Sequence, residues 1–187
     1  MITPIRRQVL PFIALVLLLA SVTLICDYFL HRFDLGWVGR YVGIPGTVMI
    51  AGSFVYSLRK RKFITRGRPK SLLTFHEFCA WFGSLLVLVH AGIHFNALLP
   101  WLATVAMGVT VVSGMVGKLL LDRSRSQLQT QQEASEQQPQ TGQAMFWDSV
   151  MLGVMAKWRR VHIPIFVAFL VLASGHIISI LFFWSWA

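Results

Sequence analysis

Residues Thr74 to Asn96 read TFHEFCAWFGSLLVLVHAGIHFN, an apolar run long enough to cross a bilayer that nevertheless carries His76, His90 and His94. An imidazole in hydrocarbon is costly, so a histidine within a span calls for a partner or a task. A second apolar run, Val161 to Trp184, carries His162 and His176. In both runs two histidines stand 14 residues apart, His76 to His90 and His162 to His176. On a helix that interval climbs about 21 Å and returns to within roughly 40° of the same face. Each run therefore presents one histidine near either membrane surface.

The rest of the chain agrees with a bilayer setting. Its 187 residues are 56% hydrophobic with a mean hydropathy of +0.64, too apolar for a soluble domain of that length. The expected class is an all-α integral membrane protein. A net charge of +10 could signal nucleic acid, but Lys and Arg gather at the ends of apolar runs and form no patch interleaved with aromatics. Membrane lipid is the expected surrounding, and no nucleic-acid partner is expected. Cys26 and Cys79 stand in no CxxC or CxxCH context, which argues against a disulfide framework, an iron–sulfur site and a covalently attached haem. They read as small packing residues.

Five spans emerge, at residues 9–30, 37–57, 73–96, 99–121 and 161–185. The first follows Arg6 and Arg7 as a signal peptide would, but Val9 to Leu30 is too long for an h-region and lacks a small-x-small cleavage site. It is expected to stay as a helix. The second is interrupted by Arg40, Gly43, Pro45, Gly46 and Gly52, yet keeps its length, and Arg40 can snorkel from its end.

Loop charge orients the bundle. The N-terminus holds two Lys or Arg, residues 59–70 hold seven and residues 118–160 hold six, whereas the alternate side has only Arg32 and Arg40. This positive-inside division predicts a cytoplasmic N-terminus and an outside C-terminus. Trp37, Trp101, Trp184 and Trp186 fall where the outer aromatic belt would lie. Residues 122–145, rich in Gln, Ser and Glu, read as a flexible cytoplasmic loop. Residues 146–159 follow with Phe146, Val150, Met151, Val154, Met155 and Trp158 at helical spacing, an amphipathic interfacial helix serving as anchor or docking surface.

With that orientation the third and fifth spans run parallel. His76 and His162 share the inner depth, and His90 and His176 the outer depth. Each pair can supply both axial positions of one iron, so the pattern suits two stacked b-type haems gripped between the helices. Seven residues beyond His76 stands Gly83, and seven beyond His162 stands Phe169. The glycine would leave clearance that Phe169 fills, as packing or as an aid to electronic coupling. Arg66, Arg68, Lys70, Arg159 and Arg160 flank the inner histidines, through topology alone or to pair with haem propionates. Glu77 could close a Thr74-x-x-Glu77 capping box or accept from a ligand histidine.

His94, one turn past His90, is the alternative outer ligand, but 18 residues from His76 put it about 27 Å away and out of level with His176. His90 is the preferred ligand, with His94 near the outer propionates or an exit route for electrons or protons. His31, in an outer loop, is expected to be solvated. Two readings compete with haem: unconnected packing histidines, which matched depth on parallel helices disfavours, and a transition-metal transporter. The latter usually lines its path with acids or thiols, and these spans offer few besides Cys79 and Glu77.

Over residues 71–187 the chain resembles the ferric reductase-like transmembrane domain. That domain is shared by ferric reductases, NADPH oxidases and the membrane subunit of the bacterial methionine sulfoxide reductase system. The resemblance rests on the paired histidines, on HAGIH at His90 to His94, on SGMVGK at Ser113 to Lys118 and on WRRVH at Trp158 to His162. Di-haem cytochrome b subunits of the bc type also use 14-residue pairs. The resemblance implies transmembrane electron transfer, with His76 and His162 as inner and His90 and His176 as outer iron ligands. Family members commonly carry a sixth span leading to a flavin and nicotinamide domain; here the fifth span is the last, and no GxGxxG or Walker loop occurs. Electrons would have to come from a separate dehydrogenase, from quinol or from another redox subunit. The expected location is a bacterial inner (plasma) membrane.

Overall fold

A computed structural model of the chain describes residues 3–92, 97–135 and 141–183, with side chains for 10–92, 97–122 and 153–183. Five helices follow one another: α1 (Thr3–Arg32), α2 (Gly36–Lys60), α3 (Pro69–Gly92), α4 (Leu98–Ser135) and α5 (Thr141–Phe183). No strand occurs among the described residues. Each helix contains a stretch long and apolar enough to cross a membrane: Leu10–Arg32, Gly36–Lys60, Pro69–Gly92, Leu98–Asp122 and Gly153–Phe183. The five expected spans are therefore present.

Burial is distributed as a bilayer solvent would have it. Large apolar side chains point outward, Leu24 at 69% exposure and Phe182 at 82%. The interior is built from small groups: Ser53, Cys79, Ser84 and Ala103, joined by Val89, Met107 and Phe169. Lipid tails are as apolar as leucine, so helices gain little by burying large side chains and most by letting backbones approach. Glycines make that approach between α2 and α3. A Cβ on Gly83 would stand 2.8 Å from Ile50 Cγ1 and 3.0 Å from the Gly46 carbonyl, and one on Gly46 would stand 3.1 Å from the Gly83 carbonyl.

The connections use helix-stop chemistry. α1 ends with Asp34 in the left-handed region (φ 55°), the Leu35 amide donating to the Leu30 carbonyl (2.8 Å) and the Asp34 amide to the His31 carbonyl (3.3 Å). α2 ends the same way: Lys62 has φ 64°, Phe63 N–H bonds Leu58 (3.0 Å) and Lys62 N–H bonds Arg59 (3.1 Å). Both are Schellman stops, which satisfy carbonyls that a helix end would leave orphaned.

Three local expectations are corrected. α4 continues to Ser135 and α5 begins at Thr141, so the segment expected as a flexible loop over residues 122–145 is helical except at residues 136–140, which lie outside the described residues. Its Gln, Glu, Arg and Leu content favours helix, and no Gly or Pro interrupts residues 118–138, whereas Pro139 and Gly142 follow. Residues 146–159 belong to the continuous α5 rather than to a separate interfacial helix. Thr74 does not cap α3, which starts at Pro69; its hydroxyl donates to the Lys70 carbonyl at 3.2 Å, and Glu77 pairs instead with Lys118 of α4.

Candidate functional site

α3 carries His76 and His90 against α2. The Nδ1–H of His76 donates to the Ser53 carbonyl at 2.9 Å, and that of His90 to the Gly39 carbonyl at 3.1 Å. A carbonyl can only accept, so both rings must hold a proton on Nδ1, and in the neutral ring this leaves the lone pair on Nε2. Tyr56 adds a ring tilted 34° over His76 with centroids 5.7 Å apart. Gly43 lies flat against His90: a Cβ there would fall 2.7 Å from His90 Cγ and 2.9 Å from Cδ2.

On α5, His162 is held from α4. Its Nδ1 lies 3.1 Å from the Ser113 hydroxyl, and its ring stacks on Trp158 with centroids 4.8 Å apart and planes 20° from parallel. Trp158 is itself tied to α4, its indole N–H donating to the Ser113 carbonyl at 2.8 Å. The imidazoles of His76 and His162 are near enough for their charges to interact. The helix backbones stay apart, since among the described residues no Cα of α3 comes within 8 Å of one of α5. α2 reaches across to α5 through Phe54 and Phe166, whose rings lie 5.0 Å apart.

The other named residues sort as follows. His176 is half-buried on α5, and its carbonyl accepts from the Ser179 hydroxyl at 2.8 Å. Phe169, midway between His162 and His176, is buried at 7% exposure. Gly83 does not face the gap between α3 and α5: its missing Cβ points at Ile50 and Gly46 of α2. Its role is close helix approach, not clearance beside Phe169. Arg159 and Arg160 are exposed at the start of the α5 span, with Lys60 of α2 close enough to Arg159 for their charges to interact. His94, Trp184 and Trp186 lie outside the described residues. His31 occupies the last turn of α1 rather than a loop, with Nδ1 2.9 Å from the Asp27 carbonyl and 3.4 Å from its carboxylate.

Sequence reasoning missed Gly39, Gly43, Ser53 and Ser113 as supports. The first three act through backbone or through lack of a side chain, which no residue pattern advertises. Ser113 and Gly117 stand in the SGMVGK stretch, and their spacing of one turn matches that between Trp158 and His162. Among the described residues no three His, Cys, Asp or Glu side chains converge as a small metal ion would need. Three of the histidines, His76, His90 and His162, are instead held at Nδ1 by a neighbouring helix, as metal-ligating histidines are. No family model, no curated protein and no solved structure matches this chain.

Proposed function

We propose that the chain is a di-haem b-type cytochrome that carries electrons across a bacterial inner membrane, with its N-terminus cytoplasmic and its C-terminus outside. The observation that carries this reading is the orientation of α3's histidines: both give the Nδ1 proton to α2, which in the neutral ring leaves the lone pair on Nε2, the form in which imidazole binds iron. The separation of α3 from α5 supports it further, because two helices that shared a macrocycle could not touch. Two haem b groups would supply the one-electron chemistry, their irons alternating between ferric and ferrous.

The protein's own work is to place and insulate. His76 with His162, and His90 with His176, are the proposed axial pairs, one for each membrane surface. Phe169 keeps water from the middle of the path. Arg159, Arg160 and Lys60 put positive charge at the inner end, where carboxylates such as propionates would be stabilised. Arg159 and Arg160 are exposed, so their charge stays solvated. The donor is a separate dehydrogenase, quinol or another redox subunit, and the acceptor lies on the outer side.

A second reading, a haem-anchoring subunit of a larger respiratory or repair complex, is favoured by the lengths of α4 and α5. Their 38 and 43 residues reach about 57 and 65 Å, well beyond a hydrocarbon core of about 30 Å, and offer a platform to a partner. A reduced-minus-oxidised spectrum of the purified chain, with haem counted per polypeptide, tests the central claim. Two haems with a b-type band are expected; absence of the band from protein made with ample haem sinks it. Co-purification of a stoichiometric redox protein selects the second reading over the first.

A further inference from the structure

We propose, resting on the reading of His162 as an axial ligand, that Ser113 is a positioning residue that sets the reduction potential of the inner iron. Ser113 engages α5 twice. Its carbonyl takes the indole proton of Trp158 at 2.8 Å, and its Oγ lies 3.1 Å from His162 Nδ1. Trp158 precedes His162 by one helical turn and stacks on it, so one serine fixes both the imidazole's edge and the ring lying against its face.

α4 is shaped to allow this. A Cβ on Gly117 would overlap Trp158 at Cζ2, so the ring lies where only glycine leaves room. Gly114 leaves an ordinary 3.8 Å to His162 Cε1. Ser113, Gly114 and Gly117 thus form one receptor for Trp158 and His162, which explains why the SGMVGK and WRRVH stretches occur in the same chain.

An imidazole that binds iron through Nε2 carries its proton on Nδ1, and the Ser113 oxygen then accepts it. Such a bond raises the basicity of Nε2 and favours the ferric state, lowering the potential. His76, the other inner ligand, gives its proton to a peptide carbonyl that no side-chain substitution removes. His162 depends on a hydroxyl that one substitution deletes. Loss of that hydroxyl should therefore raise the inner potential and leave the outer one alone.

The test is a redox titration of the full-length chain in detergent, with haem count and the electron paramagnetic resonance of the ferric forms. Ser113→Ala is expected to keep two haems and to raise one midpoint potential only, and Ser113→Thr to restore the native value. Trp158→Phe keeps an aromatic ring but loses the indole proton, and should change the g-values of one haem, which report the angle between its two imidazole planes. If Ser113→Ala keeps both haems with both midpoints unmoved, the inference is overturned while the di-haem reading stands. Should Ser113→Ala shed a haem, Ser113→Thr decides: recovery of haem and native potential supports the assignment, and failure to recover overturns it. A wild-type chain without haem overturns the parent reading and this one with it.

Discussion

His90 is held by what its neighbours lack as much as by what they provide. Its Nδ1 proton goes to the Gly39 carbonyl, while its ring rests on Gly43, where even a methyl group would overlap Cγ. Gly43→Ala should therefore push the imidazole off its bond and cost about 1–3 kcal/mol, the usual scale of overpacking. Thermal unfolding in detergent reads the loss, and under the proposed di-haem reading the haem count should fall from two to one. An unchanged count with an unchanged melting temperature would show that the ring is not seated on Gly43. Candidate ligands were legible as letters because histidine is rare in hydrocarbon. Their supports were not, because a glycine and a main-chain oxygen look alike in every helix.

At the scale of elements, α2 and α3 are joined by backbone proximity at Gly46 and Gly83. Gly83→Ala is expected to lower stability by about 1–3 kcal/mol, since its Cβ would meet Ile50 and the Gly46 carbonyl. Haem binding at residual folded protein should persist, because the substitution enters the α2 seam and not the space between α3 and α5. Selective haem loss with stability intact would return Gly83 to the role of clearance that its spacing suggests. The stop of α2 offers a gain: Lys62 occupies a left-handed position at φ 64°, where a side chain costs roughly 1 kcal/mol or more relative to glycine. Lys62→Gly should raise the melting midpoint without altering spectra. The spans themselves were legible from length and hydropathy. Where α4 and α5 end was not, because a glutamine-rich polar run is compatible with both disorder and helix, and only the absence of Gly and Pro over residues 118–138 hints at the outcome.

For the whole molecule, the expected orientation rests on the Lys and Arg of residues 59–70 and 118–160. Thr65→Cys should react with an impermeant maleimide only from the cytoplasmic side and Ala97→Cys only from outside, in a background without Cys26 and Cys79. Reversed labelling would invert the direction assigned to every site. Helix count and the 14-residue histidine spacing are legible in the sequence, but the order of packing is not: α3 leans on α2 and α5 on α4, while α3 and α5 stand apart. Each histidine-bearing helix thus has its own chaperoning neighbour. That division has a consequence for how the α2 side can be probed. The two acceptors that orient His76 and His90 are peptide oxygens of Ser53 and Gly39, so exchanging either residue for another leaves the oxygen itself in the chain. Exchanging the peptide that bears each oxygen for an ester, whose carbonyl is a poorer acceptor, is the substitution that would make this half of the site visible.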